Sequence, residues 1–261
     1  MSETRSVDAP TGTRRDRSLI IPAVLTLAVL IALGTWQLER RAWKEGLIAT
    51  LVTRIDAPPA DLPADWDRLD RAADEFRRVR FAAMLLNDQE ALVYTPGSNL
   101  RTDISGPGYW VFTPARLANG GLVVVNRGFV PEGRQDPRSR AAGQVAGEVE
   151  IVGALRWPEA RGLFTPADDP GRNLWFVRDH TAMAAAKNWG AVAAFFIDQE
   201  APQPPGGLPK PGKITPNLPN NHLQYALTWY GLALLIAVMV GVLTVNRRRE
   251  RHAGGSEKPP N

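Results

Sequence analysis

Two uncharged apolar runs at opposite ends of the chain constrain it more than any other feature. Residues 18–38 (SLIIPAVLTLAVLIALGTWQL) and 223–245 (LQYALTWYGLALLIAVMVGVLTV) contain no Asp, Glu, Lys or Arg. At 1.5 Å rise per residue, a helix of either run spans a hydrocarbon layer of about 30 Å. A cleaved signal peptide has an apolar core of about 7–15 residues followed by an A-x-A-like site. The first run is longer and no such site follows it, so it reads as a retained membrane helix.

Arginines beside the runs set an orientation. Arg5, Arg14, Arg15 and Arg17 precede the first, and Arg247, Arg248, Arg249 and Arg251 follow the second. Short basic flanks stay on the cytoplasmic side. Both tails are therefore expected inside, with the intervening segment in a periplasm or intermembrane space. Arg40, Arg41 and Lys44 are a contrary signal, but they open a long segment, and the rule weakens beyond about 60 residues. The 261-residue chain has 31 Lys+Arg against 27 Asp+Glu, a net charge of +4. That excess sits largely in the tails and argues for contact with membrane lipids rather than nucleic acid. The chain has no cysteine, which excludes disulfides, thiolate metal sites, iron–sulfur clusters and a cysteine nucleophile. The histidines are His180, His222 and His252.

The domain plan follows: 1–17 cytoplasmic tail, 18–38 first transmembrane helix, 39–200 periplasmic α+β domain, 201–219 connector, 222–245 second transmembrane helix, 246–261 cytoplasmic tail. The first helix is expected to continue from about Ile20 to Arg54, because Trp43, Leu47 and Leu51 recur at helical spacing. Short β signals follow at Arg78–Phe81, Ala91–Tyr94, Tyr109–Thr113, Leu122–Asn126, Glu148–Leu155, Leu174–Val177 and Ala194–Ile197. They predict an antiparallel sheet or small open barrel with one or two helices. Asp179 is the expected cap, and Gly190 the stop, of a helix between the last two signals. Seven prolines between 201 and 219 predict a semi-rigid extended connector rather than a folded element.

No nucleophile elbow, phosphate loop or dinucleotide fingerprint is present. Asp168 and Asp169 precede Pro170-Gly171 and read as turn residues. His180, just after a capping position, reads as an exposed first-turn residue. Asn126-Arg127-Gly128 reads as a strand end, with a special backbone at Gly128 and Arg127 in a local ion pair. The informative segment is Asn220 to Trp229 (NNHLQYALTW). His222, Tyr225, Ala226 and Trp229 fall at i, i+3, i+4 and i+7, on one helix face. Two readings stand for it. One is an interfacial anchor, since Trp and Tyr line membrane boundaries. The other is a haem site: His222 as axial ligand, Tyr225 and Trp229 as walls, Ala226 leaving room for the ring, Trp36 and Gln37 of the first run at the same level, and Arg40, Arg41 and Lys44 just above, where propionates emerge.

The sequence resembles the Surfeit locus protein 1 family of cytochrome c oxidase assembly factors. Four blocks carry the resemblance: Gly34-Thr35-Trp36-Gln37-Leu38-Glu39-Arg40-Arg41 with Trp43-Lys44; Val123 to Pro131 (VVVNRGFVP); Asn173-Leu174-Trp175-Phe176; and Asn220 to Trp229. Phe129 stands where the family has Trp. The resemblance implies a non-catalytic factor that binds haem a and assists its insertion into, or stabilisation in, oxidase subunit I. His222 matches the histidine proposed as haem ligand in bacterial members. Implied partners are subunit I and haem a synthase. Glu3, Asp8 and Asp16 make the N-terminus a poor mitochondrial presequence, so a bacterial plasma membrane is expected. The alternative is a scaffold that stabilises an oxidase assembly intermediate without holding haem; a membrane-anchored enzyme is disfavoured.

Overall fold

The computed structural model describes residues 12–98, 100–215 and 219–254, with the side chains of the two long helices described from Ile21 and to Arg249. The chain forms two compact units: residues up to Leu47 with those from Pro219 on, and Ile48–Leu218. The arginines of the N-terminal tail and Arg251 lie outside the described side chains.

The first unit is built on two helices, α1 (Gly12–Asp56), whose residues from Ile48 on belong to the second unit, and α4 (His222–Gly254). Both are long and apolar enough to cross a membrane, and only 11% of the most apolar window of each is buried. Helices that expose Leu25, Val29, Leu234, Leu235 and Val238 in this way need lipid rather than water around them. α1 continues unbroken past Gly46 and ends just before Pro58 and Pro59, which lack the amide a further turn would need.

The second unit is a β domain. Its strands are β1 (Ala60–Asp61), β2 (Arg78–Leu85), β3 (Ala91–Thr95), β4 (Gly108–Arg116), β5 (Leu122–Pro131), β6 (Glu148–Arg156), β7 (Leu174–Trp175) and β8 (Phe196–Ala201). A short helix, α2 (Arg71–Asp74), precedes β2, and α3 (His180–Lys187) lies between β7 and β8. The order β2-β6-β8-β5-β4 closes on itself, because Met84 and Leu85 of β2 also pair with Arg116 and Ala115 of β4. The result is a five-stranded barrel, which removes the open sheet edges among those strands. Most pairings are antiparallel; β5 and β8 run parallel, since the crossover through β6 and α3 returns the chain in the same direction.

Alternation explains both cores. Val79, Phe81, Ala83 and Leu85 of β2 point inward with Val123, Val125, Ile151, Leu155, Phe195 and Ile197. The other face of β5 and β4 packs Val124 and Phe112 with Trp110, Trp175, Met183 and Phe196, beneath α3. β5 is therefore covered on both faces, which is why its first half, residues 122–125, is a continuous apolar run rather than an alternating one. The C-terminal turns of α1 join a third cluster, where Ile55 meets Ala154 and Ile214.

Three expectations are corrected. Residues 201–215 are extended but laced to the barrel: Phe129 N donates to Lys210 O at 3.0 Å, Lys210 N donates to Phe129 O at 2.8 Å, and Thr215 N donates to Leu100 O at 2.8 Å. Gly128, at φ +117°, lets this strap approach, because a Cβ there would collide with the Lys210 carbonyl. α3 is capped by Asp179 as expected, but it stops at Asn188, which adopts the left-handed conformation two residues ahead of Gly190. His180 is fully buried, not exposed: its Nε2 donates to Ala193 O at 2.8 Å and its ring lies against Phe196. His180 lies on the same face of α3 as the buried Met183 and Ala184, the face that packs on the sheet, so a position that is usually polar and wet becomes core.

Candidate cofactor site on the two long helices

On α1, partly or fully buried positions recur at Leu27, Leu30, Gly34, Gln37, Arg41 and Lys44; on α4, at His222, Ala226, Trp229, Tyr230, Ala233 and Val240. Spacings of three and four are the pattern of a packed helix pair. Polar bonds and small residues hold it, as expected where lipid offers apolar side chains no advantage in pairing. The Tyr230 ring lies over Gly34, with its hydroxyl 3.0 Å from Thr35 Oγ1. Gln37 Oε1 is 2.8 Å from His222 Nδ1. Lys44 Nζ donates to Pro219 O at 2.5 Å. Two of the sequence blocks noted above are thus one another's packing surface.

These contacts fix which side chains share a side of the pair. With about 100° of rotation per residue, Tyr230 lies to one side of the His222–Ala226 line, and Tyr225 and Trp229 to the other. Gly34, Thr35 and Arg41 lie to one side of Gln37, and Trp36, Arg40 and Trp43 to the other. Since Tyr230 meets Gly34 and Thr35, the second side of each helix opens in the same direction. His222 and Gln37 therefore sit at the base of a face flanked by Tyr225, Trp229, Trp36 and Arg40. Tyr225 is 55% exposed and Trp36 54% exposed, so this face is open. The Arg40 guanidinium stacks over Trp43, 3.9 Å from its ring centroid. Arg41 falls on the closed side and pairs with Glu45 at 2.7 Å. Ala226 is 1% exposed and lies inside the helix contact. Its small side chain serves close approach of the helices; the room for a planar group is on the Tyr225–Trp229 side.

The donor set suits a haem iron. A neutral imidazole with Nδ1 engaged offers Nε2 as its ligating nitrogen, and among the described residues Nε2 has no hydrogen-bond partner. Aromatic walls and a cation lie on the open side. Among the described residues no cluster of three His, Asp or Glu side chains forms a metal site of another kind. Asn220 Oδ1, two residues before His222, is buried and unpartnered.

The β domain holds the other blocks, and there the chemistry is structural. Arg127 is buried in β5 and donates to Glu90 at 2.9 Å and to Gly143 O; Arg140 forks onto both oxygens of Glu90. Asn126 Nδ2 donates to Asp198 at 2.7 Å, and Asp198 also receives Arg156 and Arg178. Asp168 Oδ1 accepts from Phe176 N and Asp169 caps Arg172 N, the turn roles expected of them. Asn173, left-handed at φ 55°, ties Glu90 O to Lys187. An open cleft of about 700 Å³ beside this network is lined by Asn87, Gln144, Arg172 and Lys187, and burial holds the Lys187 ammonium below its ordinary range. Glu90, Arg140 and Asp198 carry no motif, and isolated charges in a sequence do not announce which partner they meet.

The profile of the SURF1 family matches residues 24–234, so the match runs through both units. The chain is 36% identical to the SURF1-like protein of Monosiga brevicollis over 268 aligned positions, covering 100% of this chain and 98% of that protein. It is 39% identical to Surfeit locus protein 1 of Mus musculus, over 82% of this chain and 70% of the mouse protein. To Surfeit locus protein 1 of Homo sapiens it is 36% identical, over 85% and 77%.

Proposed function

This chain belongs to the SURF1 family, and from that premise we propose that it is a non-catalytic assembly factor for a haem–copper oxidase. In this reading it binds haem a on the α1–α4 face and assists its insertion into, or stabilisation in, oxidase subunit I. It sits in a bacterial plasma membrane, with both tails cytoplasmic and the β domain periplasmic. Subunit I and haem a synthase are its partners.

The observation that carries the reading is the Gln37–His222 hydrogen bond, which leaves Nε2 as the ligand nitrogen on an open aromatic face. His222 would bind the iron; Trp229, Tyr225 and Trp36 would flank the ring; Arg40 would meet a propionate. The haem supplies the redox centre of the oxidase, and what this chain contributes is holding and release. An exposed face suits such a role, because a carrier must surrender its cargo.

The test is an absorbance spectrum of the detergent-purified chain made in cells with and without haem a biosynthesis. The reading expects a haem a spectrum only in the first. Protein purified free of haem from both, yet still bound to subunit I, would favour a scaffold for an assembly intermediate instead.

A further inference from the structure

We propose that Gln37 is a positioning residue that decides which nitrogen of His222 is available, by locking the ring as its Nδ1–H tautomer. The proposal rests on the reading of His222 as a ligand and names the device that prepares it.

A neutral imidazole carries one proton, on either nitrogen, and in water the proton favours Nε2. The atom placed 2.8 Å from Nδ1 is the Gln37 carboxamide oxygen, which accepts hydrogen bonds and cannot donate. Nδ1 must then hold the proton, and Nε2 keeps its lone pair. Gln37 and His222 sit on different helices, and the position of each is fixed by other contacts. Tyr230 is seated on Gly34 and Thr35 on one side of this pair, and Lys44 holds Pro219 O on the other. Gln37 therefore cannot simply follow a rotating ring, and both side chains are partly shielded from water that would supply a substitute partner. A donor nitrogen whose ring partner gives a hydrogen bond is also the stronger ligand. The site would be set before any iron arrives.

The experiment uses the full chain in detergent, without haem, at pH 8, with ¹⁵N-labelled histidine. The His222 signals are assigned by their loss in His222→Ala. The proposal expects a protonated Nδ1 and an unprotonated Nε2 in the wild type. Gln37→Glu, which keeps an acceptor oxygen, should preserve that pattern; Gln37→Leu should move the proton to Nε2. In parallel, Gln37→Leu should lower haem retention about tenfold or more, the usual loss when an outer partner of a metal-bound histidine is removed. A wild-type ring protonated on Nε2, or a Gln37→Leu ring unchanged from wild type, overturns the proposal. The two readings fail separately. Haem binding unaffected by His222→Ala would remove the ligand assignment while the tautomer result stood. Haem lost in His222→Ala with an unlocked wild-type tautomer would remove the role of Gln37 alone.

Discussion

The Tyr230 ring occupies the groove that Gly34 leaves open: a Cβ at residue 34 would lie 2.8 Å from Tyr230 Cε1. The two residues belong to different helices and to different sequence blocks, and their contact brings Gln37 level with His222. Substitutions here should separate the ring from its hydroxyl. Tyr230→Phe keeps the ring and loses the bond to Thr35, costing about 0.6 kcal/mol, the average for such bonds between membrane helices. Gly34→Val must displace the ring as well and should cost more. Unfolding of the full chain by SDS titration measures both, and equal effects would mean the ring is not seated as described.

Glu90 is the only carboxylate among the described residues that pairs with both Arg127 and Arg140, and all three side chains are buried. Glu90→Gln leaves two guanidinium charges in a low-dielectric site. Breaking a buried pair in this way costs about 3–5 kcal/mol. Urea unfolding followed by tryptophan fluorescence reads the loss, since Trp110, Trp175 and Trp189 lie in the adjoining core. A change under about 1 kcal/mol would show that water reaches the network.

His180 gives the β domain a pH dependence. Burial holds its imidazole below the ordinary value, outweighing the bond to Ala193 and the nearby Asp179. The folded state thus binds fewer protons than the unfolded state between that lowered value and about pH 6.5, the ordinary histidine value. Stability then falls as pH drops below that point toward the lowered folded-state value, and is retained above it. Unfolding midpoints from pH 8 down to pH 5 should decline with a component that His180→Gln abolishes. An unchanged slope in the variant would exclude His180 as its source.

Reporter fusions at the N-terminus, near Gly143 and at the C-terminus should read inside, outside and inside, because the arginines flanking both runs favour the cytoplasmic side. An active periplasmic reporter on either tail would refute the arrangement.

How far the sequence could be read depended on the range of the forces involved. The two long helices were legible because lipid thickness imposes a length and forbids charge, both local properties. The barrel strands were legible where one face is wet, as in β2, whose buried positions alternate. Closure of the barrel was not, since it rests on Met84 and Leu85 meeting Arg116 and Ala115, a pairing with no local mark. His180 was misread for a related reason: a cap fixes the start of a helix but not the side its first residue faces. The strap at Lys210 was missed because prolines predict extension and say nothing of what an extended chain docks on. At the candidate site, His222 and its aromatic neighbours could be found by spacing on one helix. Gln37 could be placed at the level of His222 from the sequence, but its bond to His222 and the roles of Gly34 and Thr35 emerged only when the second helix was beside them.

Whether His222 is the nitrogen ligand on this face is read from the haem content of the His222→Ala chain. Alanine leaves the second helix at least as apolar as before, so insertion and yield should be unchanged. With His222 as the ligand, the variant should give normal yield, a strongly weakened haem spectrum and reduced oxidase activity in the same cells. A His222→Ala protein purified in normal yield with wild-type haem content and an unaltered spectrum would contradict that assignment.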